Sequence, residues 1–273
     1  MNNSTVIIHT YNEEKNIRSC IESARKLTLN IIVVDMQSVD KTVKICQEEG
    51  ALIFSFPYSK YVEPAREFGI KQSKTSWVFL LDADERITDE LANEIKFALN
   101  KTDSVDESSK KTGSVKTTHY KIPRKELFAQ KIWLKHGGWW PNYQTRLINR
   151  KYLTSWPKEI HSSPTIRGEA GYLHRPLLHF SKNDYGEIVN KTIVFEDMES
   201  DLLFRADKPA STLIFFRKFA GEFFRRLVKN LGFLDGTIGI IESIYQAFSK
   251  TITYLYLYEK KYRLQSRPLR SLS

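Results

Sequence analysis

Cysteine is nearly absent from this chain of 273 residues, with Cys20 and Cys46 as the only two. That scarcity argues against a disulfide framework and against a cysteine-rich structural metal site. Both cysteines fall among apolar neighbours on helical patterns, which predicts buried free thiols. No stretch approaches the ~20 uninterrupted apolar residues that a membrane-spanning helix requires. The first residues lack the basic-then-apolar pattern of a secretory signal, so a cytoplasmic location is expected. Also missing are the Gly-rich dinucleotide fingerprint and the Walker A loop, which disfavours a dinucleotide oxidoreductase and a P-loop NTPase. No internal repeat is evident.

What the chain does have is an apolar strand that ends abruptly in acid. Residues 77–86 read Trp-Val-Phe-Leu-Leu-Asp-Ala-Asp-Glu-Arg. A run such as Val78 to Leu81 predicts a strand buried on both faces, as in a parallel sheet. Ligands of open α/β sheets bind at the carboxyl ends of the strands, where Asp82 and Asp84 emerge. Residues two apart share a strand face and can converge on one cation. An all-oxygen pair suits Mg²⁺ or Mn²⁺, which complete their shells with water and substrate phosphates. An ordinary acidic turn is the competing reading for these two residues alone.

The N-terminal third supports a ligand rim. Ser4 to Thr10 predicts a strand followed by Tyr11-Asn-Glu-Glu14 and a helix from Lys15, with Ile17, Cys20, Ile21 and Ala24 on its apolar face. Asn30 to Asp35 is the next strand, and Ser38 or Asp40 is positioned to cap a following helix. A strand around 51–56 and a helix around 63–72 lead into the Asp82 strand. Alternation at this pitch argues for right-handed βαβ units and one parallel sheet. It would place the polar residues after Ile8, Val34 and Leu81 on one rim.

Three of these segments, Thr10-Tyr-Asn-Glu-Glu14, Val33-Val-Asp-Met-Gln-Ser-Val-Asp-Lys-Thr42 and Leu80-Leu-Asp-Ala-Asp-Glu85, together resemble the inverting family 2 glycosyltransferases of GT-A fold. That fold is the nucleotide-diphospho-sugar transferase architecture, with a Rossmann-like, mostly parallel sheet. Gly138 to Leu147, Pro176 to Ser181 and Gly232-Phe-Leu-Asp-Gly236 resemble one branch, the lipopolysaccharide core β-glucosyltransferases. The likeness covers roughly residues 4–260 and implies transfer from a nucleotide sugar, UDP-linked, to a cell-envelope glycan or glycolipid, assisted by Mg²⁺ or Mn²⁺.

Residue roles follow from the resemblance. Asp84 is the expected metal ligand, with Asp82 near the ribose or joining through water, and His179 as a further ligand unless it is a core histidine. Asp35 is expected to accept from the base N–H, and Thr10, Tyr11 and Glu13 to line the nucleoside pocket. Arg66 would reach the diphosphate or else pair locally with Glu63. Arg146 offers a bidentate fork to phosphate oxygens. For the base that takes the acceptor proton, the branch carries His-Glu where this chain has His161-Ser162, so Glu159 and His161 are both candidates. Asn142 likewise stands where the branch has Asp.

Charge is uneven along the chain. Residues 205–273 hold thirteen Lys/Arg against five Asp/Glu, a net +8 of the chain's +10, interleaved with phenylalanine and tyrosine. Such helices can lie on a membrane surface; the alternative is a cap whose Phe215, Phe219 and Phe223 pack inward. No nucleic-acid module is legible, and no nucleic-acid partner is expected. The expected organisation is a GT-A catalytic domain over 1–195, with a mobile polar loop at 100–118, and a helical extension over 196–273. Two other functions stay open: a nucleotidylyltransferase, and a non-catalytic glycosyltransferase-like scaffold.

Overall fold

A computed structural model describes residues 3–108, 117–160, 162–182 and 185–265. The chain divides into two compact units, Met1–Leu127 with Pro141–Ser181 and Phe128–Trp140 with Lys182–Ser273.

The first unit begins with the expected alternation: β1 (Ser4–Thr10), α1 (Ile17–Arg25), β2 (Ile31–Asp35), α2 (Thr42–Glu48), β3 (Leu52–Ser55), α3 (Glu63–Gln72) and β4 (Trp77–Asp82). β5 (Glu85–Arg86), α4 (Asp89–Ser108) and β6 (Thr117–Phe128) follow. β7 (Ile132–Trp133) lies in the other unit, after which come β8 (Asn142–Asn149), β9 (Leu153–Ser155), β10 (Thr165–Ile166), β11 (Glu169–Tyr172) and β12 (Leu177–Lys182). The main sheet runs β3-β2-β1-β4-β8-β6-β12-β5, and β9 and β10 form a separate ribbon. β3, β2, β1 and β4 are parallel, whereas β8 runs antiparallel to both β4 and β6.

Register makes the rim. Thr10 pairs with Asp35, Asp35 with Ser55, and His9 with Asp82, so the carboxyl ends of four strands finish at one level. β1, β2 and β4 are buried almost throughout because helices cover both faces of a parallel sheet. The face carrying Ile8, Val33 and Leu81 packs on Ile17 and Ile21 of α1; the other packs Ile7, Val34 and Leu80 around Ala65 and Ile70 of α3. α3 lies close because position 69 has no side chain: a Cβ there would stand 2.9 Å from Ile7 Cγ2 and 3.0 Å from His9 Nε2. Cys20 and Cys46 are buried free thiols, as expected.

Two boundaries differ from expectation. α4 runs on through Ser108, so the first half of the anticipated 100–118 loop is helix; residues 109–116 lie outside the described residues. Once nucleated, a helix gains a hydrogen bond per added residue, and polar side chains do not stop it. The expected division at 195/196 falls inside α5 (Tyr185–Arg205), a continuous helix that packs on α7 (Gly236–Gln265), and the units part at Ser181/Lys182 instead.

In the second unit α6 (Thr212–Phe224) passes into one π turn, Arg225–Lys229, and a short 3₁₀ segment, Gly232–Asp235, precedes α7. The 128–140 segment is clasped to this region. His136 donates its backbone N–H to Asp235 at 2.8 Å, its ring Nδ1 lies 2.7 Å from the same carboxylate, and Arg226 donates to Gly137 O at 2.9 Å. His136 and Asp235, ninety-nine positions apart, are thereby held together. α7 meets the 3₁₀ segment at Gly239, where a Cβ would lie 2.0 Å from Gly232 O. Gly239→Ala, a change that gains ~0.5–1 kcal/mol in an ordinary helix interior, is expected instead to cost about 1–3 kcal/mol through overpacking. Urea denaturation of the purified variant checks the sign.

Candidate active site

Two carboxylates leave β4 and meet opposite environments. Asp82 is held from both sides: its Oδ1 accepts from Arg66 Nη2 and its Oδ2 from Arg146 Nη2, each at 2.7 Å. α3 delivers Arg66 and β8 delivers Arg146, and both side chains are buried. Arg146 also donates to Glu85 Oε1 at 2.5 Å, while Glu85 Oε2 accepts the Asp82 backbone N–H at 3.0 Å. Burial works against charge on Asp82, but Arg146 and Arg66 outweigh it and hold the carboxyl well below the usual range. Glu85, fully buried, is pushed up by desolvation in spite of Arg146.

The network continues as alternating charge. Glu85 is 3.7 Å from Arg124, Arg124 pairs with Glu126 at 2.8 Å, and Glu126 Oε2 lies 2.6 Å from His179 Nδ1. His179 Nε2 then faces Asp84 Oδ2 at 3.4 Å. A chain of ion pairs thus leads from the first aspartate of the motif around to the second. β12 closes it: His179 registers with Glu85, and Phe180 N–H donates to Asp84 O at 2.9 Å. Burial opposes a proton on His179, yet Asp84 and Glu126 lift its pKa to about 9.

His9 ends the chain on the other side. A guanidinium cannot accept, so His9 Nδ1, 3.2 Å from Arg66 Nη1, is the acceptor and Nε2–H faces Ala65 O at 3.3 Å. Burial, then Arg66, drive its pKa down to about 3. The unfolded chain binds this proton near pH 6.5 and the folded chain does not, so stability is full above pH 6.5 and falls as pH drops. The loss should reach about 2 kcal/mol at pH 5. His9→Asn keeps an acceptor for Arg66 and should remove about one proton from the slope of denaturation free energy between pH 6.5 and 5.

The rim beyond β1 and β2 is laced together before any ligand arrives. Asn12 N–H donates to Ser38 Oγ, Val39 N–H to Asn12 Oδ1, Glu13 N–H to Thr42 Oγ1 and Lys41 N–H to Glu14 Oε2. Asn12 and Gln37 take left-handed backbone, with φ of 53° and 65°, strain of the kind that clusters at functional rims. Tyr11 and Tyr58 stand with ring centroids 4.7 Å apart.

The Glycosyl transferase family 2 profile matches residues 5–167. The chain belongs to glycosyl transferase family 2. Among its relatives are uncharacterized glycosyltransferases of Rickettsia conorii (24% identical; 90% of this chain and 86% of that one) and Rickettsia typhi (27%; 90% and 83%). Among solved structures, S. aureus TarS 1–349 with UDP-GlcNAc is 14% identical, with 96% of this chain and 92% of that one covered, at a TM-score of 0.47. Glucosyl-3-phosphoglycerate synthase of Mycobacterium tuberculosis with Mn²⁺, UDP and glucosyl-3-phosphoglycerate is 15% identical, with 76% and 81% covered, at 0.45. The mixed sheet of the first unit is the GT-A sheet.

The structure brings some of the residues singled out by the sequence together and holds others apart. Asp84 and His179 do come together. Asp82 stands apart from them, with both its oxygens held by arginines. Arg66 pairs with Asp82 instead of Glu63, and Arg66 and Arg146 point inward at carboxylates where diphosphate contact was expected, because each is the counter-charge of a buried acid. Asp35 is buried, with its oxygens accepting from Ser38 N–H at 3.0 Å and Ser38 Oγ at 2.5 Å; it shapes the rim loop. Glu13 accepts from Asn16 Nδ2 at 2.7 Å at the start of α1. Thr10 is buried, and its Oγ1 has no hydrogen-bond partner. Glu159 is exposed, and His161 lies outside the described residues. Sequence reasoning missed Glu85, Glu126 and Tyr58; only the i, i+2 alternation of Arg124 and Glu126 on β6 hinted that they share a face.

The donors present fit a small divalent cation. Asp84 would offer an oxygen and His179, once a cation displaced the proton from Nε2, a nitrogen, and Glu126 on Nδ1 orients the imidazole as carboxylates do behind metal-binding histidines. Among the described residues no group of three or more His, Cys, Asp or Glu could hold a metal ion. Two protein donors leave the remaining positions to diphosphate oxygens and water, the usual division for Mg²⁺ and Mn²⁺.

Proposed function

We propose that this glycosyltransferase moves a sugar, with inversion, from a UDP-linked donor to a hydroxyl of a cell-envelope glycan or glycolipid. The observation that carries the reading is the Glu126–His179–Asp84 line at the carboxyl ends of the sheet. A divalent cation bound there supplies charge neutralisation for the departing diphosphate. Asp84 and His179 hold that position, and Glu126 fixes the ring. Tyr11 and Tyr58 offer aromatic faces to the nucleoside base, and the buried Thr10 hydroxyl, without a partner of its own, is available to the nucleoside. The acceptor oxygen bonds to the anomeric carbon as the sugar–phosphate bond breaks. Its proton passes to Glu159 or His161, and the nucleoside diphosphate leaves.

The family assignment favours transfer over nucleotidylation. The likeness of the 138–147, 176–181 and 232–236 motifs to the lipopolysaccharide core branch supports a lipid-borne acceptor. A panel of nucleotide sugars, screened for thermal stabilisation and slow hydrolysis with and without Mn²⁺, tests the donor. UDP-sugars should raise the melting temperature only with the metal present; stabilisation by a guanosine- or cytidine-linked sugar alone, or equal response in chelator, would overturn the reading.

A further inference from the structure

The second unit is built inside out. On α7 the buried residues are mostly small or polar, Leu257 apart: Gly239, Ser243, Ala247 and Thr251 recur every fourth position, and each is buried. The contacts they support are also polar. Ser249 and Thr253 donate to the Glu196 carboxylate of α5, Thr192 meets Tyr245 at 2.5 Å, and Lys260 binds Asp201 at 2.6 Å and Ser200 at 2.7 Å. Outward stand Ile240, Ile244, Phe248, Leu255, Tyr258 and Tyr262, between 41% and 59% exposed. In water a surface helix does the reverse, burying its large apolar stripe and turning polar residues to solvent. Small residues every fourth position between helices, with bulky apolar residues outside, is the packing of helices in lipid.

The unit also exposes further aromatic residues and an excess of basic ones. Phe216 and Phe224 of α6 and Phe233 and Leu234 before α7 are exposed. Among the described residues 205–262, Arg205, Lys208, Arg217, Lys218, Arg225, Lys229 and Lys250 are exposed, whereas Asp207, paired with Lys261, is the one exposed carboxylate. Phe215, Phe219 and Phe223 are half-buried, so the inward cap and the outward surface coexist on α6. No helix among the described residues is long and apolar enough to cross a membrane. With a length of about 45 Å, α7 would lie in the plane of the surface.

We infer that the second unit docks in the interface of a bilayer carrying anionic lipid, with the outer face of α7 seated at the acyl boundary and the cations of α6 and its π turn on the headgroups. Apolar area together with basic residues is the combination that binds such interfaces reversibly. The excess of exposed basic residues favours this occupant over a second copy of the chain, whose identical cations would face each other. The inference is independent of the donor chemistry.

Flotation of the full chain with phosphatidylcholine vesicles, with and without phosphatidylglycerol, tests it. Binding should require phosphatidylglycerol and weaken with salt. Arg217→Gln and Lys229→Gln should each lower partitioning roughly fivefold. Phe248→Glu should lower it on the order of tenfold or more while leaving the melting temperature in vesicle-free buffer unchanged, because the side chain is exposed. Absence of flotation overturns the inference. So does a stable oligomer in light scattering that Phe248→Glu disperses without any vesicle binding by the wild type, which would assign the face to a second copy.

Discussion

Asp84→Asn is expected to lower the rate of sugar transfer about a thousandfold or more and to abolish Mn²⁺ binding, with the fold intact. The magnitude follows from what is removed. Electrostatic groups aimed at charge that develops in the transition state are worth ~10²–10³ each, and a carboxylate bound directly to the ion also sets its affinity. The fold should survive because Asp84 is partly exposed and the substitution keeps its size and its polar character. Glu126→Gln supplies the graded comparison: it acts through His179, so metal affinity should fall roughly 10–100-fold. Mn²⁺ titration followed by electron paramagnetic resonance, beside a transfer assay, reads both. Wild-type metal affinity and turnover in Asp84→Asn would remove the ion from this position.

Arg146→Leu is expected to cost stability before it costs chemistry, by about 3–5 kcal/mol. Asp82 would keep Arg66 alone, and Glu85 would be left buried with Arg124 at 3.7 Å as its remaining ion-pair partner. Removing one member of a buried network strands a charge that the interior cannot solvate, so the penalty exceeds what the pair contributes when intact. Denaturant midpoints for Arg146→Leu and Arg66→Leu, set beside the donor KM of whichever variant stays folded, separate this role from phosphate binding. A variant of undiminished stability whose donor KM alone rises would restore Arg146 to the diphosphate.

The candidate site was legible in the sequence where its parts are local. Asp82 and Asp84 announce themselves as an abrupt end to an apolar strand, and Thr10 and Asp35 close two further strands whose periodicity is plain. Their common level follows from parallel register alone. The pairing of His179 with Asp84 was reached by resemblance, not by spacing, since ninety-five positions separate them. Glu126 left no comparable trace, because a carboxylate on a half-buried strand reads as an ordinary polar position. Arg66 and Arg146 show the reverse failure: residues suited to phosphate were found facing acids, since burial of a carboxylate demands the nearest cation.

The sequence by itself determined the β1-to-β4 half of the sheet, the rim at its carboxyl ends, the free buried thiols and the positive charge of the C-terminal quarter. Each depends on periodicity or composition, which are properties of neighbours along the chain. Which aspartate lies between two arginines and which beside His179, and which face of α7 turns outward, depended on the tertiary fold. Those outcomes depend on groups brought together from β4, α3, β6, β8 and β12, or from α5 and α7. In a low-dielectric interior a charge or a polar side chain is assigned its role by its nearest partner in space, and sequence distance carries no information about that partner.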